Sequence, residues 1–314
     1  MEKTLSIIIP VYNEEENVKR LYLELKEVIN KIDYKSEIVY VDDCSSDGTL
    51  EALKSIAQDD KKVKFIRFSK NYGQTAAIST GIKNSTGDVI VLLDGDLQND
   101  PADIPMLLKN IEDGNDVVSG WRKNRKDTFI TRKLPSYIAN YIISLFTGLK
   151  IHDFGCTLKA YKREVLENFA IYGEMHRLLS AYCFWQGAKV TEVVVNHRPR
   201  LYGKSKYGIN RTLKVILDLM VIKFILSYLT RPIYIFGGIA ITAFLAGTAV
   251  NLFVIGRKIF FSGQWLSPMF FIGFLLWSMS VICLLLGIIM EVVVRLYLET
   301  KDELPFKIAK KENF

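Results

Sequence analysis

DVIVLLDGDLQ, Asp88 to Gln98, begins as a short apolar run rich in β-branched residues and ends in two carboxylates around a glycine. Such a run reads as a strand buried on both faces. Uncompensated burial of Asp94 and Asp96 would be costly, so they belong at the strand's exposed C-terminal end. In an open α/β sheet that edge is where ligands bind. Carboxylates spaced i, i+2, with Gln98 two further on, place hard oxygen ligands on one side of an extended chain. That set suits Mg²⁺ or Mn²⁺ holding a diphosphate. A solvated Asp-Gly turn closing an ordinary strand is the alternative, and this stretch alone leaves it open.

Outward from this stretch the same pattern repeats. Thr4 to Val11 (TLSIIIPV), Ser36 to Val41 (SEIVYV), Val63 to Phe68, Asp116 to Gly120 and Lys189 to Asn196 are further strand candidates. Helical segments lie between the earlier ones. Asn13 is expected to cap the first, with Glu14, Glu15 and Glu16 in its first turn and Leu21, Leu25, Val28 and Ile29 on its buried face. A second runs from the Ser45 to Thr49 turn to about Gln58, and a small-residue helix spans Gln74 to Lys83. The second strand also ends in carboxylates, Asp42 and Asp43, at the sheet edge that carries Asp94 and Asp96. The alternation predicts a doubly wound, mostly parallel α/β sheet with right-handed crossovers. No GxGxxG and no GxxxxGK[ST] occurs. A phosphate would therefore be met by a metal and side chains rather than by a glycine-rich nest.

Composition narrows the class. The chain has 314 residues, 49% of them hydrophobic, and the apolar excess falls after residue 213. A net charge of +7 and a pI of about 9.0 suit nucleic acid or an anionic membrane. The cations flank apolar helices and form no nucleic-acid-type block, so a lipid bilayer is the expected partner and nucleic acid is not. The four cysteines form no CxxC pair and the three histidines no i, i+4 pair, which argues against zinc and thioredoxin-type chemistry. Reduced thiols in a cytosol-facing protein are the expectation. Met1-Glu2-Lys3 runs straight into a strand without a signal peptide, and the KDEL at Lys301 to Leu304 is internal.

The second half of the chain reads as membrane-associated. A basic stretch from Trp121 to Lys133 leads into Leu134 to Leu149, too short and interrupted to span, which suits a helix at the membrane interface over about 132–149. Arg211 to Leu229 reads as an amphipathic interfacial helix. Ile233 to Ile255 and Pro268 to Met290 are free of charge and long enough to cross. The cations flanking the pair outnumber those between them, so the positive-inside rule puts the domain over 1–210 and the tail over 298–314 in the cytosol. The helix over 211–230 and the two spans within 231–297 join them. Gly237, Gly238, Ala243, Ala246, Gly247 and Ala249 would permit close helix contact.

Taken jointly, SIIIPVYNEEENV, YVDDCSSDGT, NYGQTAAISTGI and GDVIVLLDGDLQNDP resemble family 2 glycosyltransferases with the GT-A fold. DFGCTLKAYKREV and RLYGKSKY are similar to their polyprenyl-phosphate branch, which includes dolichol-phosphate mannose synthase and the bacterial bactoprenol glucosyltransferases. The motifs cover about the first 210 residues, and the two apolar helices match the bacterial subgroup in layout. The resemblance implies that Pro10, Tyr12, Glu14, Asp42, Asp43, Asp94, Arg200 and Lys204 hold a nucleotide sugar. Asp94, Asp96 and Gln98 would take Mg²⁺ or Mn²⁺. Arg122, Arg132 and Ser136 would meet a lipid phosphate, and Asp153 would act as base or positioner. Read without the resemblance, Asp153 is a helix cap before Thr157 to Val165 or a base, His176 is a packed histidine or an acceptor-site residue, and His197 to Tyr207 is a basic juxtamembrane linker, a mobile segment whose cations close over a diphosphate, or both.

The implied activity is an inverting transfer of a hexose, taken as glucose, from a UDP-sugar to undecaprenyl or another polyprenyl phosphate. It would occur at the cytosolic face of the inner membrane, in a homo-oligomer that relatives suggest is a tetramer. Other donors stay open: GDP-mannose, UDP-galactose, UDP-N-acetylglucosamine and an aminoarabinose derivative. A non-catalytic membrane scaffold is the rival of another class, and the intact Asp42, Asp94, Asp96 and Asp153 argue against it. A processive polysaccharide synthase would carry QxxRW and more spans, which this chain lacks.

Overall fold

The computed structural model describes residues 3–123, 134–166, 175–199, 233–261, 267–299 and 308–312. The chain divides into two units, Met1–Leu219 with Pro305–Phe314, and Met220–Leu304. Arg132, Arg200, Lys204 and the amphipathic helix expected over 211–230 lie outside the described residues.

In the first unit, β1 (Thr4–Val11) shows why the strands are apolar throughout rather than alternating. Leu5, Ile7 and Ile9 pack with residues of α1 (Glu15–Ile29), α2 (Thr49–Asp59) and α4 (Ile104–Glu112). Ile8 packs on the opposite face with Ala77 and Ile78 of α3 (Gln74–Lys83). β2 (Lys35–Asp42) divides likewise, Ile38 and Tyr40 on one side and Val39 and Val41 on the other. Both faces are covered by helices, so both need apolar side chains. α3 sits so close to β1 that a Cβ on Gly81 would lie 2.3 Å from Ile8 Cγ2. That contact keeps glycine there despite the roughly 1 kcal/mol it costs inside a helix.

The sheet runs β7-β5-β6-β4-β1-β2-β3-β8. The remaining strands are β3 (Val63–Phe68), β4 (Val89–Leu92), β5 (Val117–Trp121), β6 (Lys159–Lys162), β7 (Val190–Val194) and β8 (Ile308–Glu312). Neighbours are parallel except around β6, antiparallel to β4 and β5, and at β8, antiparallel to β3. A mostly parallel sheet matches the expectation. The buried Glu37 of β2 locks the lower part of the sheet. Its carboxylate accepts from the Ser6 hydroxyl (2.5 Å) and Thr86 N–H (2.6 Å) and pairs with Lys64 (2.8 Å). Burial alone would raise its pKa, but these partners hold it below the ordinary range.

Several expectations need correction. Asn13 does not cap α1. It adopts a left-handed backbone (φ 53°), and its side-chain oxygen accepts from Ser46 N–H at 2.8 Å, leaving Glu14 at the cap position. Thr157 to Val165 is not a helix. Lys159–Lys162 is the antiparallel strand β6, followed by one 3-10 turn, Arg163–Val165. Arg163 fixes that turn by donating to the Gly87 carbonyl (2.6 Å) and to the Ser85 hydroxyl (2.9 Å). Part of the tail also joins the first unit, as the edge strand β8 beside β3.

α5 (Leu134–Thr147) carries the exposed side chains Tyr137, Tyr141 and Leu145 at four-residue spacing, while Ile143 is buried. Asn140 Nδ2 donates to the His152 carbonyl (2.8 Å), and Trp185 of α6 (Leu179–Trp185) donates to the Thr147 carbonyl (2.7 Å). These bonds hold one side of α5 and leave an apolar stripe uncovered.

The second unit contains α7 (Ile233–Phe261) and α8 (Pro268–Glu299), both long and apolar enough to cross a membrane. Both continue past the expected limits. Most of their large apolar side chains are exposed, Phe260 by 78% and Leu275 by 66%, which is unlike core helices of a soluble domain. They pack on each other as an antiparallel pair. A Cβ on Gly247 would lie 2.8 Å from both the Gly273 carbonyl and Trp277, and Trp277 Nε1 donates to Thr248 Oγ1 at 3.1 Å. Gly247 therefore serves this pair, whereas a Cβ on Gly237 or Gly238 would meet nothing within 4 Å.

Candidate active site

The parallel strands end at a common edge. The loops there hold the three non-glycine residues with left-handed backbone among the described residues: Asn13 after β1, Cys44 (φ 62°) after β2 and Leu97 (φ 61°) after β4. Such conformations cost of order 1 kcal/mol or more and persist only where contacts impose them. At β2, Asp42 imposes the turn. It is fully buried, and its Oδ1 accepts from the Ser45 N–H (2.9 Å) and hydroxyl (2.5 Å). Arg67 Nε lies 3.7 Å from its other oxygen. Asp43 accepts from the N–H groups of Tyr72 (2.6 Å) and Gly73 (2.8 Å), tying this loop to the start of α3. Burial raises its pKa in spite of those donors. Both carboxylates shape the walls of the edge.

Pro10, Tyr12 and Glu14 are half-buried at the end of β1. Glu14 accepts from Asn17 Nδ2 at 2.6 Å. The Asp94-Gly95-Asp96 turn folds back onto this strand: a Cβ on Gly95 would lie 2.8 Å from Val11 Cγ1 and 3.4 Å from the Pro10 carbonyl. The turn requires glycine, and it brings the β1 and β4 groups to one place.

Asp94 accepts from Gln74 Nε2 at 2.8 Å and from the Thr157 hydroxyl. Burial, and then the Asp96 carboxylate beside it, push its pKa up to about 6. Asp96 is buried and accepts from Gln98 N–H at 3.2 Å. Two carboxylates whose joint ionisation is resisted form a place where a divalent cation relieves the repulsion. Among the described residues no third His, Cys, Asp or Glu converges on them. A cation would complete its shell from Gln98, substrate oxygens and water, as Mg²⁺ commonly does. The donor set, hard oxygen only, fits Mg²⁺ or Mn²⁺.

Arg122 and Asp153 form one unit. The guanidinium forks the carboxylate, Nε to Oδ2 at 2.7 Å and Nη2 to Oδ1 at 3.0 Å, and Gly155 N–H adds a third bond at 3.0 Å. Both side chains are largely buried, 14% and 5% exposed, so water does little to weaken the pair. Arg122 and Arg177 also favour the charged form of Asp94. The expected base and an expected phosphate ligand are thus one ion pair, coupled to the dicarboxylate. The backbone N–H of Arg122 adds a fourth, longer bond at 3.4 Å, so both Asp153 oxygens are engaged. Ser136 falls in the first turn of α5.

Each histidine meets other groups of the protein. His176 Nδ1 meets the Thr75 hydroxyl at 2.7 Å, His152 stacks on Trp121 and hydrogen-bonds Glu192, and His197 is buried and bridges to Asn99. Sequence reasoning missed Lys159, which is 1% exposed at the start of β6, and took Arg198 only as one cation of a basic segment. Arg198 bonds Glu24 and Asp100, each at 2.6 Å, and its N–H donates to the Gln98 carbonyl at 2.8 Å. The signal available for Lys159 was a lone cation between Leu158 and Ala160, in a run otherwise read as a helix.

Residues 6–169 match the family described as Glycosyl transferase family 2. The chain is 37% identical over 299 residues to the dodecaprenyl-phosphate galacturonate synthase of Rhizobium johnstonii, covering 93% of this chain and 88% of that protein. It is 35% identical over 264 residues to the undecaprenyl-phosphate 4-deoxy-4-formamido-L-arabinose transferase of Pectobacterium atrosepticum, covering 84% and 79%. Among solved structures, the UDP complex of glucosyl-3-phosphoglycerate synthase from Mycobacterium tuberculosis superposes with a TM-score of 0.55 at 18% identity, covering 70% and 80%. That last likeness concerns the fold.

Proposed function

We propose a function for a chain that belongs to glycosyl transferase family 2: transfer of a sugar from a nucleoside-diphosphate donor to a polyprenyl phosphate, at a membrane surface. The observation that carries this reading is the match to two polyprenyl-phosphate sugar transferases. The first covers 93% of the chain, and the remaining 7% is shorter than either apolar helix, so the match extends into both. The exposed Tyr137, Tyr141 and Leu145 stripe supports an interfacial α5. β8 belongs to the same unit as the catalytic sheet, so the chain leaves that unit, runs through two apolar helices and returns. This favours a two-span hairpin with sheet and tail on the cytosolic side of an inner membrane. A tetramer is part of the same reading.

In this proposal the acceptor phosphate oxygen attacks the anomeric carbon in line with the leaving diphosphate. The bond from that carbon to the diphosphate oxygen breaks, and the configuration inverts. An ionised phosphate needs no proton removed, which agrees with an Asp153 engaged by Arg122. Pro10, Tyr12, Glu14 and the Asp42-Asp43 loop would flank the nucleotide, with Arg200 and Lys204 on its diphosphate. Arg122, with Arg132 and Ser136, would face the acceptor phosphate. Asp94, Asp96 and Gln98 would hold Mg²⁺ or Mn²⁺, which supplies charge neutralisation for the departing diphosphate when bound. UDP is the proposed nucleotide. Glucose was the expected sugar, but the names of the relatives point instead toward galacturonate or a modified arabinose.

The test is transfer of radiolabelled sugar into an organic-extractable lipid. Protein in detergent receives undecaprenyl phosphate, Mg²⁺ and, in parallel, UDP-galacturonate, UDP-glucose, UDP-galactose, UDP-4-deoxy-4-formamido-L-arabinose and GDP-mannose. Label in the lipid phase with one donor, lost on chelation, supports the reading. No label with any donor refutes it.

A further inference from the structure

Lys159 poses an electrostatic problem that the proposed mechanism leaves unused. It lies opposite Leu92 at the first register position of the antiparallel β4–β6 pair. Leu158 and Ala160 beside it are fully buried, and Lys159 itself is 1% exposed. Its ammonium donates to the Phe154 carbonyl at 3.1 Å, and among the described residues no carboxylate lies within ion-pair distance of it. An ammonium has three donors, so two are left unspent. Burial lowers its pKa to about 8, which still leaves it charged at neutral pH. Asp153 favours its charge only from beyond ion-pair distance, and a buried cation with no close counter-ion is costly unless something supplies the missing charge.

A small recess of about 10 Å³, room for one oxygen-sized group, lies beside it; Cys156, Thr157, Lys159, His176 and Arg177 are among the residues that line it. Two cations, a hydroxyl and an imidazole line this space, and no carboxylate does. Thr157 connects it to the dicarboxylate, since its hydroxyl bonds Asp94. The cavity is thus a positive recess directly beside the candidate reaction centre. Its chemistry is opposite in sign to the Asp94–Asp96 turn.

We infer that this recess binds an anionic oxygen group of a substrate, with Lys159 as a direct contact and Arg177 as its second cation. The inference rests on the transferase reading. That reading offers two sources of one chemistry: the phosphate of the acceptor lipid, or a carboxylate carried by the donor sugar. Either would occupy the two spare donors and supply the counter-charge. A neutral hexose on a neutral acceptor would do neither.

The experiment uses the full-length protein in detergent, with Lys159→Met and Lys159→Arg. Met keeps the length and the packing but removes the charge. Four dissociation constants are read: those of undecaprenyl phosphate, UDP-galacturonate, UDP-galactose and UDP alone. Lys159→Met raises one anion-specific constant about tenfold, the ratio that loss of a charge-assisted hydrogen bond gives, and Lys159→Arg restores most of it. A rise confined to undecaprenyl phosphate assigns the recess to the lipid phosphate. A rise for UDP-galacturonate, absent for UDP-galactose, assigns it to a sugar carboxylate. UDP alone binds unchanged in both cases. Constants that stay within twofold, or an equal loss for UDP alone, overturn the inference. If Lys159→Met does not fold, Arg177→Gln, at a half-buried position, is read by the same four constants and the same criteria. Should the wild-type protein transfer no sugar at all, the function reading fails, while the binding constants still decide the anion site.

Discussion

A double-mutant cycle across Arg122 and Asp153 separates the two roles open to that carboxylate. Asp153→Asn keeps the shape but removes the charge, and it turns an N–H₂ toward a guanidinium whose Nε and Nη2 now sit 2.7 and 3.0 Å from carboxylate oxygens. A hydrogen bond to a charged group is worth about 1.5–3 kcal/mol, so losing or weakening this fork should cost roughly 3 kcal/mol of ordering around Arg122. Expressed in the transfer step, that is about a hundredfold in kcat. Arg122→Gln removes the cation itself and should cost at least as much. If Asp153 acts through Arg122, the double variant is no slower than Arg122→Gln, because the carboxylate has nothing left to orient. The assay is label transfer at saturating donor and acceptor, with UDP affinity as a control that stays unchanged. Independent losses that multiply to about ten-thousandfold would refute the positioning argument and give Asp153 a role of its own.

Four other outcomes follow from the same structure. Asp96→Asn should abolish Mn²⁺ binding in the presence of UDP, measured by calorimetry, and lower transfer at least a hundredfold; undiminished Mn²⁺ binding would remove Asp96 from the cation site. Glu37→Gln should destabilise the protein by about 2 kcal/mol at pH 7 through loss of a buried ion pair. Because the folded pKa of Glu37 lies below its unfolded value, the native stabilisation is present above the unfolded pKa and lost as pH falls through the folded one, so the difference in melting temperature should close in acid. Gly81→Ala should cost about 1–3 kcal/mol, since its Cβ meets Ile8 at 2.3 Å; an unchanged melting temperature would mean that α3 is free to shift. For the hairpin, Ser262→Cys in a cysteine-free background should react with an impermeant maleimide from outside intact cells and Asn313→Cys only after permeabilisation. Labelling of both from outside would overturn the cytosolic placement.

Where residue type and backbone need agreed, the fold was legible in sequence. β1, β3 and α3 span the expected ranges, the strands because a strand covered on both faces needs an unbroken apolar run and α3 because Gly73 and Asn84 bracket it. The errors have specific causes. Asn13 resembles a helix cap, but its carbonyl reaches Ser46, 33 positions away, and long-range bonds of that kind leave no local trace. β6 is four residues long, too short to show a period, and its conformation is imposed by β4 and β5 on either side. β8 is recruited across the whole second unit. At the site, the i, i+2 carboxylates were visible because their spacing carries the chemistry. The Arg122–Asp153 fork joins residues 31 apart, and Lys159 looked like an ordinary surface cation until the sheet enclosed it.

On the proposed transferase reading, the antiparallel β6 would let one edge serve two negatively charged substrates. A diphosphate sugar and a lipid phosphate repel each other, so a site that brings them together needs opposite charge for each. Parallel strands deliver only their C-terminal ends to the binding edge. β4 delivers Asp94 and Asp96, suited to a cation for the diphosphate, and β5 delivers Arg122. Because β6 runs the other way between them, its first residue, Lys159, arrives at the same edge. Positive groups thus stand on β6, next to the dicarboxylate's strand, and just past the end of β5 beyond it. Arg198 completes the linkage, since it clasps Glu24 and Asp100 while its backbone holds Gln98. The chain leading to Arg200 and Lys204 therefore departs from a point tied to the Asp94–Gln98 turn. Loss of this clasp, as in Arg198→Ala, should loosen nucleotide binding while sparing the Arg122–Asp153 side. An effect on acceptor KM alone would show that the two halves are not divided in this way.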